Sequence, residues 1–177
     1  MMLMICPEKS CVKIIATDVL QEVVQVVEVH WMNKLTNEEI WQQFTEGIDC
    51  AQVVLRYFAD DLGVDKKLLT KVASPFTGGM YKGMTCGAVT GAYMVLGIKY
   101  GHSKPNEGEK KVELIKKMFE FDTKFKEKQS TIICEEILGD NIAENLEKIE
   151  QENTMQKKCP QAVNDAIDIL EEIFEEK

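Results

Sequence analysis

Histidine is nearly missing from this chain. His30 and His102 are the only two among 177 residues, so a histidine-rich metal site or a Cys–His nucleophilic pair has little material to draw on. Basic blocks are absent too: lysines never run longer than a pair, and the formal net charge is −9. Binding nucleic acid by neutralising phosphates is excluded on that ground. No apolar stretch reaches the length of a membrane span, because the longest, around Met80 to Leu96, is broken by glycines. The six cysteines contain no Cys-x-x-Cys pair and no Cys-x-x-Cys-His. Their spacings (50 to 86, 86 to 134, 134 to 159) are too wide for a small disulfide scaffold. With no recognisable secretion signal, a reducing, cytoplasmic setting is expected, where cysteines serve as small hydrophobes, redox centres or metal ligands.

What is present is ordinary for a soluble domain, with 45 % hydrophobic and 29 % charged residues. Residues 1–31 stand apart. They open with Met-Met-Leu-Met-Ile-Cys, carry Cys6 and Cys11, and hold the β-branched run Val23 to Val29. Val27-Glu28-Val29 can be encoded by a purine-rich ribosome-binding sequence, with His30-Trp31 as spacer, so translation is expected to start at Met32. The alternative is a real N-terminal strand or helix. On this reading residues 1–31 are a doubtful extension and residues 32–177 one helical domain.

From there the punctuation predicts helix after helix. Thr36-Asn37-Glu38-Glu39 is a capping box, and it opens a helix that turns Ile40, Trp41 and Phe44 inward and stops at Gly47. Asp49 starts a second, with Val53, Val54, Tyr57, Phe58 and Leu62 on its apolar face and Gly63 as its stop. Asp65 caps a third, ended by Pro75, and Phe76 to Met80 forms a glycine loop. From Thr85 to about Tyr100 the chain is apolar on nearly all sides, which belongs at the centre of a bundle. A long amphipathic helix is predicted over 108–128, with Val112, Ile115, Met118, Phe119, Asp122 and Phe125 along its inner stripe. A short one surrounds Cys134 to Leu138, residues 140–156 are polar and helical in part, and Pro160 to Glu175 closes the chain. The expected fold is all-α: a single-domain bundle around a central Gly/Ala-rich helix.

Cys50, Cys86, Cys134 and Cys159 each fall where a helix is predicted to begin. A helix N-terminus carries partial positive charge and free N–H groups, which favour a thiolate over a thiol. The densest motif is Thr85-Cys86-Gly87-Ala88-Val89-Thr90-Gly91, whose small residues leave one helix face nearly bare. Another backbone or a cofactor can then approach Cys86, although tight helix packing explains the glycines equally well. Gly78-Gly79 can offer backbone N–H groups to an anion, but a simple turn is the plainer reading. His102 sits in a loop and is a weak proton-donor candidate.

The whole pattern resembles the C_GCAxxG_C_C family of redox-active proteins, small helical proteins named for four cysteines. Gly47 to Gln52, Gly78-Gly79-Met80, Cys86-Gly87-Ala88-x-x-Gly91-Ala92, Cys134 to Asn141 and Lys158-Cys159-Pro160 carry the resemblance, which runs from about Asn33 to Phe174. Thr77 stands where a further glycine is common and Asp49 where asparagine is usual; neither is expected to touch sulfur. The resemblance implies a helical fold, redox chemistry at the four cysteines, glycines 78, 79, 87 and 91 around them, and association with a transport system. It names no substrate.

Three functions stay open on the residues alone. In thiol redox chemistry Cys86 is the nucleophile and a second cysteine resolves the intermediate. Alternatively Cys50, Cys86, Cys134 and Cys159 ligate zinc or an iron–sulfur cluster for electron transfer or sensing. Or the cysteines are buried and structural, and the protein is a binding module. The cofactor, the redox partner and whether the protein is an enzyme are not legible.

Overall fold

The computed structural model describes residues 34–175 and, nearer the N-terminus, residues 2–5, 12–15 and 27–28. Two compact units divide the chain, Met1–Leu35 and Thr36–Lys177. In the first, β1 (Met2–Ile5), β2 (Val12–Ile15) and β3 (Val27–Glu28) pair antiparallel in that order. Met2 faces Ile15, and Lys13 faces Val27. Cys6, Cys11, His30 and the expected start at Met32 lie outside the described residues.

The second unit is all-α. Helix α1 (Asn37–Thr45) begins at the expected capping box. Glu39 N–H donates to Thr36 Oγ1 at 3.2 Å, and Thr36 N–H donates to the Glu39 carboxylate at 2.8 Å. At α2 (Cys50–Tyr57) the Gln52 side chain reaches back to accept the Asp49 N–H at 2.9 Å, and its amide donates to Thr70 O at 3.0 Å. The second bond ties α2 to α3 (Lys66–Ala73), which Asp65 caps by accepting from Leu68 N–H at 2.6 Å. A single 3-10 turn (Ser74–Phe76) absorbs Pro75.

Helix α4 (Gly87–Tyr100) is the axis of the bundle, packed by α2, by α5 (Gly108–Gln129) and by α8 (Thr154–Glu175). Ala88, Val89, Ala92, Val95 and Leu96 are fully buried there. Between α5 and α8 stand α6 (Cys134–Leu138), stopped by Gly139 at φ +83°, and α7 (Leu146–Gln151). Gln129 and Gln161 both donate to the Asp165 carboxylate, joining α5 to α8. No helix among the described residues is long and apolar enough to cross a membrane.

Two predicted details are corrected. The inner face of α5 is set by Phe121 and Phe125, stacked at 5.6 Å and fully buried, while Val112 (53 % exposed), Ile115 (40 %) and Phe119 (69 %) point outward. Hydrophobicity alone cannot phase this helix, because apolar residues occur on both of its sides. Helix α8 begins at Thr154, a turn and a half before Pro160. Met155, Gln156, Lys157 and Lys158 are good helix formers, and they carry the helix through a proline that leaves the Gln156 carbonyl without its donor and crowds it with the ring. Cys159 therefore lies within a helix and not at its head.

Candidate functional site

Three of the four cysteines do sit at helix beginnings. Cys50 is the first residue of α2, Cys86 caps α4, and Cys134 opens α6. A short backbone lashing brings the last two together. Thr85 and Ile133 form an isolated bridge, flanked by Cys86 N–H to Ile132 O at 2.8 Å and Cys134 N–H to Met84 O at 2.6 Å. The heads of α4 and α6 are thus held side by side.

Residues 78–81 form one turn of left-handed helix: Gly78 (φ +55°), Gly79 (+60°), Met80 (+60°) and Tyr81 (+56°). Tyr81 N–H closes it by donating to Thr77 O at 3.0 Å. Left-handed backbone costs about 1–2 kcal/mol for each residue that bears a side chain, so Met80 and Tyr81 are strained. Two contacts explain what the turn achieves. The Gly78 backbone N–H lies near enough to the Cys50 sulfur to pull its pKa down, and Gly79 packs so close to α6 that a β-carbon would stand 2.9 Å from Cys134 Cβ.

All four thiols line one cavity of about 80 Å³. Phe44, Ile137, Leu138, Ile142 and Met155 form its apolar wall; Asp49, Thr77, Gly78 and Tyr81 complete it. All four cysteines are free. The space beside Gly87 is taken by the Cys50 sulfur, and that beside Gly91 by the Ala51 backbone, whose carbonyl oxygen would be 2.9 Å from a β-carbon there. The bare face of α4 is accordingly filled by α2.

The expected low-pKa thiolates are overturned. Burial pushes Cys50, Cys86 and Cys134 up to about 12, with the neighbouring sulfurs adding to the effect. Cys159 is raised well above the ordinary thiol value, again by burial first and then by the charge of the other three. Backbone N–H groups of Gly78 and Ala51 pull Cys50 down, and those of Ala88 and Val89 pull Cys86 down. Desolvation outweighs them, since helix ends contribute only about 0.3–1 kcal/mol at exposed sites. At neutral pH the cavity holds neutral thiols.

Asp49 and Thr77, expected to stay clear of sulfur, both face this cavity, and the Thr77 hydroxyl donates to Ser74 O at 3.3 Å. Burial raises the Asp49 carboxyl, the nearby Thr77 side chain opposes that rise, and the Asp49 charge in turn raises Cys50 and Cys159. Asp49 reads as a helix cap in sequence, and nothing local reveals its second role. Ile142 was equally hidden, in a polar stretch. His102 lies elsewhere, in a surface pocket formed by residues 102–108 and Lys111. Among the described residues no group of three or more Cys, His, Asp or Glu side chains is arranged to hold a metal ion.

A family model described as "Putative redox-active protein (C_GCAxxG_C_C)" matches residues 48–173. The chain belongs to the C_GCAxxG_C_C family. The matched span takes in every cysteine of the cavity together with Asp49, the left-handed turn and most of α8. No curated protein and no solved structure matches the chain.

Proposed function

We propose that this C_GCAxxG_C_C protein is a thiol redox protein in which Cys50 and Cys86 cycle between dithiol and disulfide, in a reducing cytoplasmic setting. The observation that carries the reading is the gathering of four free thiols on one cavity, with the Cys50 sulfur packed against Gly87, the residue after Cys86. Cys50 is the partly exposed member and Cys86 is buried, so the attacking role passes from Cys86 to Cys50. The bare face that favoured Cys86 is occupied by Cys50 itself.

In the forward half-cycle Cys50 attacks a disulfide R–S–S–R, forming a mixed disulfide and releasing one RSH. Cys86 then attacks Cys50 sulfur, closes the Cys50–Cys86 bond and releases the second RSH. Two electrons pass from the protein dithiol to the external disulfide, and both thiol protons leave on RSH. Cys134 and Cys159 border the same space and keep it apolar and sulfur-rich.

The test is peptide mapping after equilibration in a graded dithiothreitol redox buffer. Loss of two thiols with a Cys50–Cys86 cross-linked peptide is expected, and Cys50→Ser should abolish it. A sample purified without oxygen that is brown, or that holds stoichiometric zinc, would overturn the proposal, as would four Cys→Ser variants that behave like wild type.

A further inference from the structure

We infer that the oxidant of this site is a small, uncharged dialkyl disulfide, and that the cavity turns away bulky and charged ones. This rests on the thiol redox reading above and gives it a substrate class.

Volume sets the first limit. The cavity measures about 80 Å³, whereas sites for drug-sized ligands run to about 300–1,000 Å³. A single water takes up roughly 10–15 Å³ of such space, so about half a dozen heavy atoms fill it. A disulfide with a short alkyl group on each sulfur is of that size, and a peptide disulfide is not.

Polarity sets the second limit. Phe44, Tyr81 (56 % exposed), Ile142 and Met155 reach solvent and form a rim beside Cys50 and Cys159, which are themselves part-exposed. Cys86, Cys134, Ile137, Leu138 and Ala162 are buried and form the floor. A substrate therefore passes aromatic and aliphatic groups before it meets the inner sulfurs. Among the described residues no lysine, arginine or histidine lines the space, and its one carboxylate is Asp49. An anionic substituent loses water there and finds no cation in exchange. Pairing with one carboxylate does not make up the desolvation of a cationic one. The sulfurs of a dialkyl disulfide suit the site, because polarisable sulfur makes favourable contacts with rings such as Phe44 and Tyr81. The reaction balances: the Cys50 sulfur bonds to one sulfur of R–S–S–R, whose S–S bond breaks to release RSH. Cys86 then displaces the second RS group as RSH, and the protein dithiol has lost two electrons and two protons to the pair of RSH molecules.

The experiment treats the full, reduced chain with one equivalent of an alkyl methanethiosulfonate, which delivers RS to a thiol sulfur and releases methanesulfinate. Methyl, benzyl, sulfonatoethyl and trimethylammonioethyl reagents install a small, a bulky, an anionic and a cationic R in the same Cys50–S–S–R linkage. Peptide mapping of quenched samples follows that adduct together with the Cys50–Cys86 disulfide that consumes it. Each rate is divided by that of the same reagent with the urea-unfolded chain, which removes intrinsic reactivity. On this scale the methyl reagent should exceed each of the others by at least about tenfold. Ile142→Lys places a cation at a part-exposed point of the rim and should raise the sulfonatoethyl rate several-fold, with circular dichroism checking the fold. If that variant does not fold, the wild-type ratios decide alone. A benzyl, sulfonatoethyl or trimethylammonioethyl rate equal to the methyl rate overturns the inference, and Cys50–Cys86 closure in the same samples leaves the redox reading standing. A methylthio group that stays on Cys50 with no Cys50–Cys86 bond formed defeats the redox reading, and the inference falls with it.

Discussion

The sulfur of Cys50 occupies the place where residue 87 would carry a β-carbon. The helix holding the first cysteine is thereby pressed onto the turn of helix that follows the second. Glycine at 87 is a spatial requirement of the sulfur site, and it outweighs the loss in helix propensity.

Gly87→Ala should gain about 1 kcal/mol of helix propensity and still destabilise the protein by roughly 1–3 kcal/mol, because the new methyl overlaps buried sulfur. Urea unfolding measures it. The double variant with Cys50→Ala should recover most of the loss, since the clashing atom is gone and neighbouring substitutions couple.

Gly47 and Gly79 both have positive φ, +82° and +60°, but only Gly79 is crowded: a β-carbon there would stand 2.8 Å from Met84 O and 2.9 Å from Cys134 Cβ. Gly47→Ala should cost about 1 kcal/mol, the strain of left-handed backbone alone. Gly79→Ala should cost roughly 1–3 kcal/mol more from overpacking. Equal melting temperatures for the two would refute the left-handed turn.

The raised thiols make stability fall at alkaline pH. Below the ordinary thiol value of about 8.5 both states hold the proton and nothing changes. Between there and about 12 the unfolded chain releases protons that folded Cys86 and Cys134 retain, so unfolding is favoured as pH rises. Each thiol contributes on the order of 1 kcal/mol per pH unit in that window. Chemical denaturation from pH 8 upward should show the decline, and Cys86→Ser should flatten it. Iodoacetamide at pH 8 should modify Cys86 far more slowly than in the urea-unfolded chain.

Tyr93 donates to Asp122 at 2.5 Å, linking α4 to α5. Tyr93→Phe removes the donor and leaves a part-buried carboxylate short of it, so a loss of about 1–3 kcal/mol is expected in thermal unfolding. Unchanged stability would mean that water replaces the hydroxyl.

Much of the helical unit was legible because its boundaries are written locally. Thr36 with Glu39, Asp65 before Leu68, and Gly139 after Leu138 each satisfy backbone groups within a few residues. The phase of α5 was not, because Phe119 and Phe121 are equally apolar and only the neighbouring helices decide which is buried. Helix α8 was misjudged at its start because Pro160 marks a frequent first position without enforcing it.

By itself the sequence determined an all-α unit, the order of its helices, and four cysteines spaced along it, since capping, periodicity and glycine stops act over a few residues. Only the tertiary structure decided that the four sulfurs share one small cavity with Asp49 and Thr77, and that burial keeps them protonated. Desolvation depends on everything packed around a group, and no stretch of neighbouring residues records it.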